Sequence, residues 1–258
     1  MGPYLIIKSI LNKIYFHPIY VFIGLLSMLS GYFREFIIIN LILFIHELGH
    51  IIIAIHYNWN IDKIYMFPFG GVTKFNELVN RPLKEELLIM LGGPFSQLLF
   101  FLLIHFLNGY YFFPWYHIFY KYHYIIFFFN LLPIFPLDGS KLINILFNYY
   151  FSFKFSHKLM IVVSYFFLVL LTILSFKDHI LFITMPLFLI RIWEEGKNHE
   201  IKFNKFLLER YMYKFKYRKK YLCKNSYKNM RKEKYNLIKY NGSYVTEEEL
   251  LKSYFKKM

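Results

Sequence analysis

Phe36 to Tyr57 is an almost uninterrupted apolar stretch in which three ionisable side chains occur within five residues. About 20 apolar residues are enough to cross the hydrocarbon core of a bilayer as a helix. An acid or strong base at mid-span costs roughly 2.5–3.5 kcal/mol by insertion scales, so such groups are usually functional. Here they fall in Phe44-Ile45-His46-Glu47-Leu48-Gly49-His50. Residues four apart on a helix point the same way, one turn apart. His46 and His50 are therefore spaced to ligate one Zn²⁺ at about 2.0–2.1 Å. Glu47 lies between them and can act on an activated water as general base.

Two protein ligands are too few for a catalytic zinc, which usually has three and a water. The best third candidate is Asp138, in Asn130-Leu131-Leu132-Pro133-Ile134-Phe135-Pro136-Leu137-Asp138-Gly139. It is a carboxylate at the end of a second apolar run, Tyr124 to Leu137. Pro133 and Pro136 break helix geometry just before it, because each lacks an N–H and clashes with the preceding turn. Backbone freed at membrane depth must be covered by protein or line a cavity. The alternative role for Asp138 is to cap the next helix at the membrane surface.

The remaining composition agrees with a membrane protein. Of 258 residues, 57% are hydrophobic, too many and in runs too long for a soluble domain of this size. The single cysteine, Cys223, excludes an internal disulfide and a Cys-rich metal site. No small-residue cleavage site follows the first apolar run, so the first span is expected to stay as an anchor. The net charge of +15 is uneven: from Lys197 onward there are 18 Lys and Arg against 6 Asp and Glu, a net +12. Without a nucleic-acid-binding motif, that excess reads as a cytoplasmic segment beside anionic lipid, not as a nucleic-acid site.

In chain order, about six spans are expected. They cover roughly 16–31, 36–57, 86–107, 124–137, 159–176 and 180–193. Gly92-Gly93-Pro94 in the third permits close helix approach and a kink. Between the second and third, Phe67-Pro68-Phe69-Gly70-Gly71-Val72-Thr73 mixes β-formers with a glycine pair and predicts a hairpin. Tyr110 to Tyr122 reads as an interfacial aromatic belt, and 139–158 as a loop or interfacial helix. An even number of spans puts both termini on one side. The Lys and Arg distribution makes that side the cytoplasm. Histidines 105, 117, 123, 157, 179 and 199 lack partners at ligand spacing and read as interfacial or solvated; His17 and His56 read as structural. In the tail, Arg210 to Lys234 shows little periodicity. Asn236 to Met258 predicts a strand, an Asn241-Gly242 turn and a helix from about Thr246.

HELGH in an early span, with NLLPIFPLDG some eighty residues later, resembles the site-2 proteases, the intramembrane zinc metalloproteases, and within them the sporulation proteases. Further shared pieces are His17-Pro18, Pro68-Phe69-Gly70-Gly71, Asn80-Arg81-Pro82-Leu83-Lys84-Glu85-Glu86, Gly93-Pro94 and Phe206-Leu207-Leu208-Glu209-Arg210-Tyr211. The resemblance implies an all-α integral membrane protein of about six spans, with a short re-entrant β-hairpin and a small cytoplasmic tail. It implies one Zn²⁺ per chain on His46, His50 and Asp138, with Glu47 as catalytic base. Asn130 would position substrate or stabilise the oxyanion, and Phe69, Gly70 and Gly71 would offer a strand edge to extended substrate. The implied substrate is a membrane-associated protein, a sporulation pro-sigma factor, with inhibitory membrane proteins as further partners. The implied place is a bacterial inner membrane, of the mother cell or around the forespore. Bacterial relatives often place Asn where this chain has Gln97, so the resemblance carries no polar role to that position. The protease domain would span 1–196. The basic tail, 197–258, is too short for a paired CBS module and leaves room for a reduced CBS-like unit.

Two other classes compete with the protease. A metal-ion transporter also uses intramembrane His and Asp, but with ligands spread along a path, whereas these converge. A non-catalytic membrane scaffold would tolerate loss of Glu47, yet every residue of the motif is present.

Overall fold

The structure is a computed structural model. It describes residues 13–16, 18–67, 70–174, 179–213, 215, 217, 219–224, 227–240 and 243–256. These residues are mostly helical, with two three-stranded sheets. The chain divides into two compact units, one of Met1–Glu77 with Leu88–Asn130 and one of Leu78–Leu87 with Leu131–Met258.

In the first unit, strand β1 (Ile14–Phe16) precedes helix α1 (Pro18–Leu29) and helix α2 (Phe33–His56). Strands β2 (Ile61–Phe67) and β3 (Gly70–Phe75) follow, then helix α3 (Leu83–Tyr110) and helix α4 (Tyr116–Asn130). Helices α2 and α3, and the later helix Phe153–Leu174, are long and apolar enough to cross a membrane. They are the three that meet this measure among the described residues, and α1 is a shorter apolar helix. The antiparallel β2–β3 pair agrees with the expected hairpin, with Phe67 opposite Gly70. Its Pro68-Phe69 link lies outside the described residues, as does His17. A third strand was not read from the sequence: β1 joins β2 in parallel, with Ile14 opposite Ile64. Ile14, Ile61 and Ile64 close a small core against Ile51 and Ile55 of α2.

Helices α2 and α3 cross backbone to backbone. A Cβ on Gly49 would overlap the Gly92 carbonyl, and one on Gly92 would lie 2.6 Å from the Gly49 carbonyl. Ser96 secures the crossing by donating from Oγ to the Ile45 carbonyl at 2.8 Å. The close approach read into Gly92-Gly93 is therefore present, with Gly49 as its other half. Helix α4 differs from the expected fourth span: it begins at Tyr116 and stops at Asn130, and 131–137 is irregular. The reason is Pro133 and Pro136, which cannot continue a helix.

The second unit contains α5 (Asp138–Tyr150), α6 (Phe153–Leu174), α7 (His179–Lys197) and α8 (His199–Tyr213). Strands β4 (Lys220–Lys224), β5 (Tyr235–Tyr240) and β6 (Ser243–Val245) and helix α9 (Glu247–Phe255) complete it. The tail is therefore folded, and Arg210 to Lys234 holds a strand that its weak periodicity concealed. Strands β4 and β5 are parallel, β5 and β6 antiparallel. Helix α9 starts where expected because Thr246 and Glu249 form a reciprocal capping box. The Asn241-Gly242 turn lies outside the described residues. Phe203, Phe206, Leu207, Cys223, Met230, Ile238 and Leu251 close a core with Phe153.

Two sequence stretches singled out above, Asn80–Glu86 and Phe206–Tyr211, form one buried polar joint. The Glu209 carboxylate accepts from the backbone N–H groups of Val79 and Asn80 at 2.9 and 3.0 Å and from Asn80 Nδ2 at 3.0 Å. Arg210 donates from Nε to Asn80 Oδ1 at 2.9 Å and pairs with Glu247 at 2.7 Å. Lys232 pairs with Glu86.

Two histidines correct the sequence reading of solvated or interfacial positions. His123 is buried and stacks on Phe101, with ring centroids 4.3 Å apart. His157 is buried between Glu195 Oε1 and His199 Nδ1, each 2.7 Å away. Sequence spacing could not reveal these partners, which lie 22, 38 and 42 residues away on other helices.

Burial pushes the Cys223 thiol up to about 11. The thiolate is the reactive form. Maleimide at neutral pH is therefore expected to label Cys223 only after denaturation. Arg210→Met leaves Glu247 buried without its cationic partner, a loss of roughly 3–5 kcal/mol, and is expected to open Cys223 to labelling under native conditions. Rapid labelling of the unaltered protein would contradict the packed tail.

Candidate metal centre

His46, Glu47 and His50 lie in the second half of α2, and all three are buried. The helix brings the two rings edge to face, with Nε2 atoms 3.2 Å apart. What each Nε2 offers is set by the partner of the other ring nitrogen. His50 Nδ1 lies 2.7 Å from the Ile89 carbonyl oxygen. A carbonyl only accepts, so His50 Nδ1 carries the hydrogen. His46 Nδ1 lies 3.0 Å from Gln97 Oε1. That amide is oriented from its far end, where Nε2 donates to the His123 carbonyl at 3.0 Å. His46 therefore also donates from Nδ1.

Both Nε2 atoms thus present lone pairs to one another in an apolar interior. A cation placed between two such lone pairs is attracted by both. Two nitrogen ligands at about 2.0–2.1 Å in a tetrahedral set stand roughly 3.3 Å apart, which matches the observed spacing. With the Glu47 carboxylate, the three residues place ligand atoms within 4.8 Å of one another. They therefore fit a zinc ion. The wall facing the pair is Gly93 of α3, where a Cβ would overlap His50 Nε2 and lie 2.7 Å from His46 Nε2. Only glycine leaves that space open. On another side lies β3, whose Gly71 packs directly against the Glu47 side chain.

The other residues expected at the site occupy these positions. Gly70 and Gly71 open β3, and Phe69 lies outside the described residues. Asn130 is the last residue of α4, half-buried. Asp138 is the first residue of α5 in the second unit, buried, with Lys141 donating to its Oδ1 at 3.2 Å. Its local setting is fixed by Gly139, where a Cβ would overlap the Leu131 carbonyl, and by Ser140 Oγ, which donates to the Leu137 carbonyl at 2.7 Å.

Gln97, to which the resemblance carries no polar role, has one in the structure. It is fully buried and holds the ring of His46. The signal was present: Gln97 is a polar amide in an apolar run, four residues after Gly93, hence on the same helix face.

A buried histidine pair with an acid beside it, on a membrane-length helix under a small sheet, defines a metallohydrolase of the membrane. The family model of peptidase family M50 matches residues 35–124. Stage IV sporulation protein FB of Bacillus subtilis is 33% identical over 216 residues, 79% of this chain and 73% of that protein. A zinc metalloprotease of Methanocaldococcus jannaschii is 28% identical over 149 residues, 54% of this chain and 42% of that protein. The solved site-2 protease of the same archaeon shares the fold, with a TM-score of 0.57 at 21% identity over 70% of this chain and 89% of that one. The chain belongs to peptidase family M50, the site-2 proteases. It is a zinc metalloprotease and an integral membrane protein.

Hydrogen-bond partners of metal-ligating histidines typically contribute 10–100-fold to metal affinity. Gln97→Leu, which fills the space without accepting from His46, is expected to weaken zinc binding by about that factor in a chelator competition. Gln97→Glu keeps an acceptor and is expected to retain the metal. Unchanged affinity in Gln97→Leu would remove Gln97 from the centre.

Proposed function

We propose that the chain is an intramembrane endopeptidase that cuts an extended segment of a membrane-associated protein. The observation that carries this reading is the buried cluster of His46, Glu47 and His50, with the two Nε2 atoms facing one another. His46, His50 and Asp138 would hold one zinc ion per chain. A zinc ion held there supplies a Lewis acid for the scissile carbonyl and an acidified water. Glu47 takes the proton of the attacking water and passes it to the leaving amine. Asn130 offers both a donor amide and an acceptor, suited to a peptide group or a developing oxyanion. The edge of β3 at Phe69, Gly70 and Gly71 pairs with substrate backbone, which must be extended because a helix hides its carbonyls in hydrogen bonds.

The likeness to stage IV sporulation protein FB supports a sporulation pro-sigma factor as substrate and a bacterial inner membrane, of the mother cell or around the forespore, as the place. By the same likeness, membrane-embedded inhibitory proteins hold the enzyme silent. Six spans, α1 to α4 with α6 and α7, put both termini in the cytoplasm, and α5 lies along the interface. The sheet of β1 to β3 dips into the membrane. The protease proper covers 1–196, and the basic tail of 197–258 rests on anionic lipid. The order of β4, β5, β6 and α9 supports a reduced CBS-like unit within it.

The test is Glu47→Gln in the full chain, reconstituted with a membrane-associated pro-sigma factor. Zinc content is expected to stay at the parent level while cleavage falls by about 10²–10⁴-fold. Asp138→Ala is expected to lose zinc and cleavage together. Cleavage by Glu47→Gln at the parent rate would end the assignment of the base. Separately, a reporter fused after Met258 is expected to be active only in its cytoplasmic form; activity of an exported form would invert the topology.

A further inference from the structure

We propose that Thr73 is a positioning residue for the general base, and that through it the hairpin couples substrate docking to proton transfer. The inference rests on the protease reading above. Gly71 and Thr73 are two apart on β3, so both turn the same face. That face meets Glu47. Thr73 Oγ1 donates to Glu47 Oε2 at 2.7 Å. A Cβ on Gly71 would overlap Glu47 Cγ and lie 2.8 Å from Cδ and 3.0 Å from Oε1. The carboxylate is thus clamped, its stem across a bare stretch of strand and one oxygen held by a hydroxyl. Oε2 is engaged, and Oε1 is the oxygen left to receive the proton of the attacking water.

The clamp belongs to an edge strand. Within its sheet, in the order β1–β2–β3, β3 pairs with β2 alone among the described residues. Its other edge is the one to which an extended peptide can add. A peptide bonded there fixes the backbone of the strand that carries Thr73. Docking therefore steadies the strand, the strand steadies Thr73, and Thr73 sets the direction of the carboxylate. Misplacement of a reacting group by about 1 Å can cost on the order of 10²-fold in rate. A hydroxyl that fixes a carboxylate has that much leverage without touching substrate.

The experiment uses the full chain, reconstituted with the same pro-sigma substrate. Thr73→Val keeps the branched shape and the strand preference and removes the donor. It is expected to lower kcat by on the order of 10- to 100-fold, with KM, zinc content and detergent stability unchanged. Thr73→Ser, which keeps the hydroxyl, is expected to stay within about threefold of the parent by comparison with that loss. Gly71→Ala pushes the Glu47 stem from the strand and is expected to lower kcat with zinc retained. In the Glu47→Gln background, Thr73→Val is expected to add nothing to the loss, because the two residues act as one unit. The proposal is overturned if Thr73→Val keeps its kcat or loses zinc or stability. It is equally overturned if Thr73→Ser falls as far as valine, or if the two losses multiply. A parent chain that binds zinc and cuts nothing would overturn the protease reading and this coupling with it. A parent that cuts, beside an unimpaired Thr73→Val, would overturn the coupling alone.

Discussion

Polar side chains buried in an apolar helix must each be given a partner, because an unpaired polar group in a low-dielectric interior is costly. That requirement organises the centre on α2. His50 spends its Nδ1 hydrogen on the Ile89 carbonyl, His46 spends its own on Gln97, and Glu47 accepts from Thr73. Those bonds turn the two Nε2 atoms toward one another and hold one oxygen of the Glu47 carboxylate on the Thr73 hydroxyl. The orientation of the centre thus follows from the demands of burial. The surrounding glycines follow from the same need: Gly49, Gly92, Gly93 and Gly71 let backbone approach where a side chain would have pushed the partners away.

Much of this was legible in the sequence, for reasons of distance along the chain. HExxH works within one helical turn, so its geometry is local and its reading was direct. The hairpin and the capped final helix are local as well, carried by Gly70-Gly71 and by Thr246 with Glu249. Residues that act across elements were less legible. Gln97 is 51 residues from His46, and Thr73 is 26 residues from Glu47. Nothing in either local pattern names the partner. Strand β1, three residues long, has no period to detect, and its parallel pairing is set by the strand it joins.

The tail illustrates a different limit. Its charge suggested a segment governed by lipid, and its composition between Arg210 and Lys234 hid a strand. What folds it is a handful of apolar side chains, Cys223, Met230, Ile238 and Leu251 among them, scattered through basic sequence and gathered only in three dimensions. The motif resemblance had pointed to Asn80–Glu86 and Phe206–Tyr211 separately. Their interlocking through Glu209 and Arg210 explains both at once, as two halves of one hydrogen-bonded joint.

That joint bears on where the protein can be divided. On hydropathy alone, a boundary after the last apolar helix looks natural, and the tail looks like an appendage. Yet Glu209 satisfies three donors of the segment before α3, and Glu233 accepts from the Leu83 N–H at the first turn of that helix. Removing the tail would strip the acceptors from a stretch of chain more than a hundred residues earlier. A genetic excision, a protease nick or a domain graft made there would be felt at the start of α3.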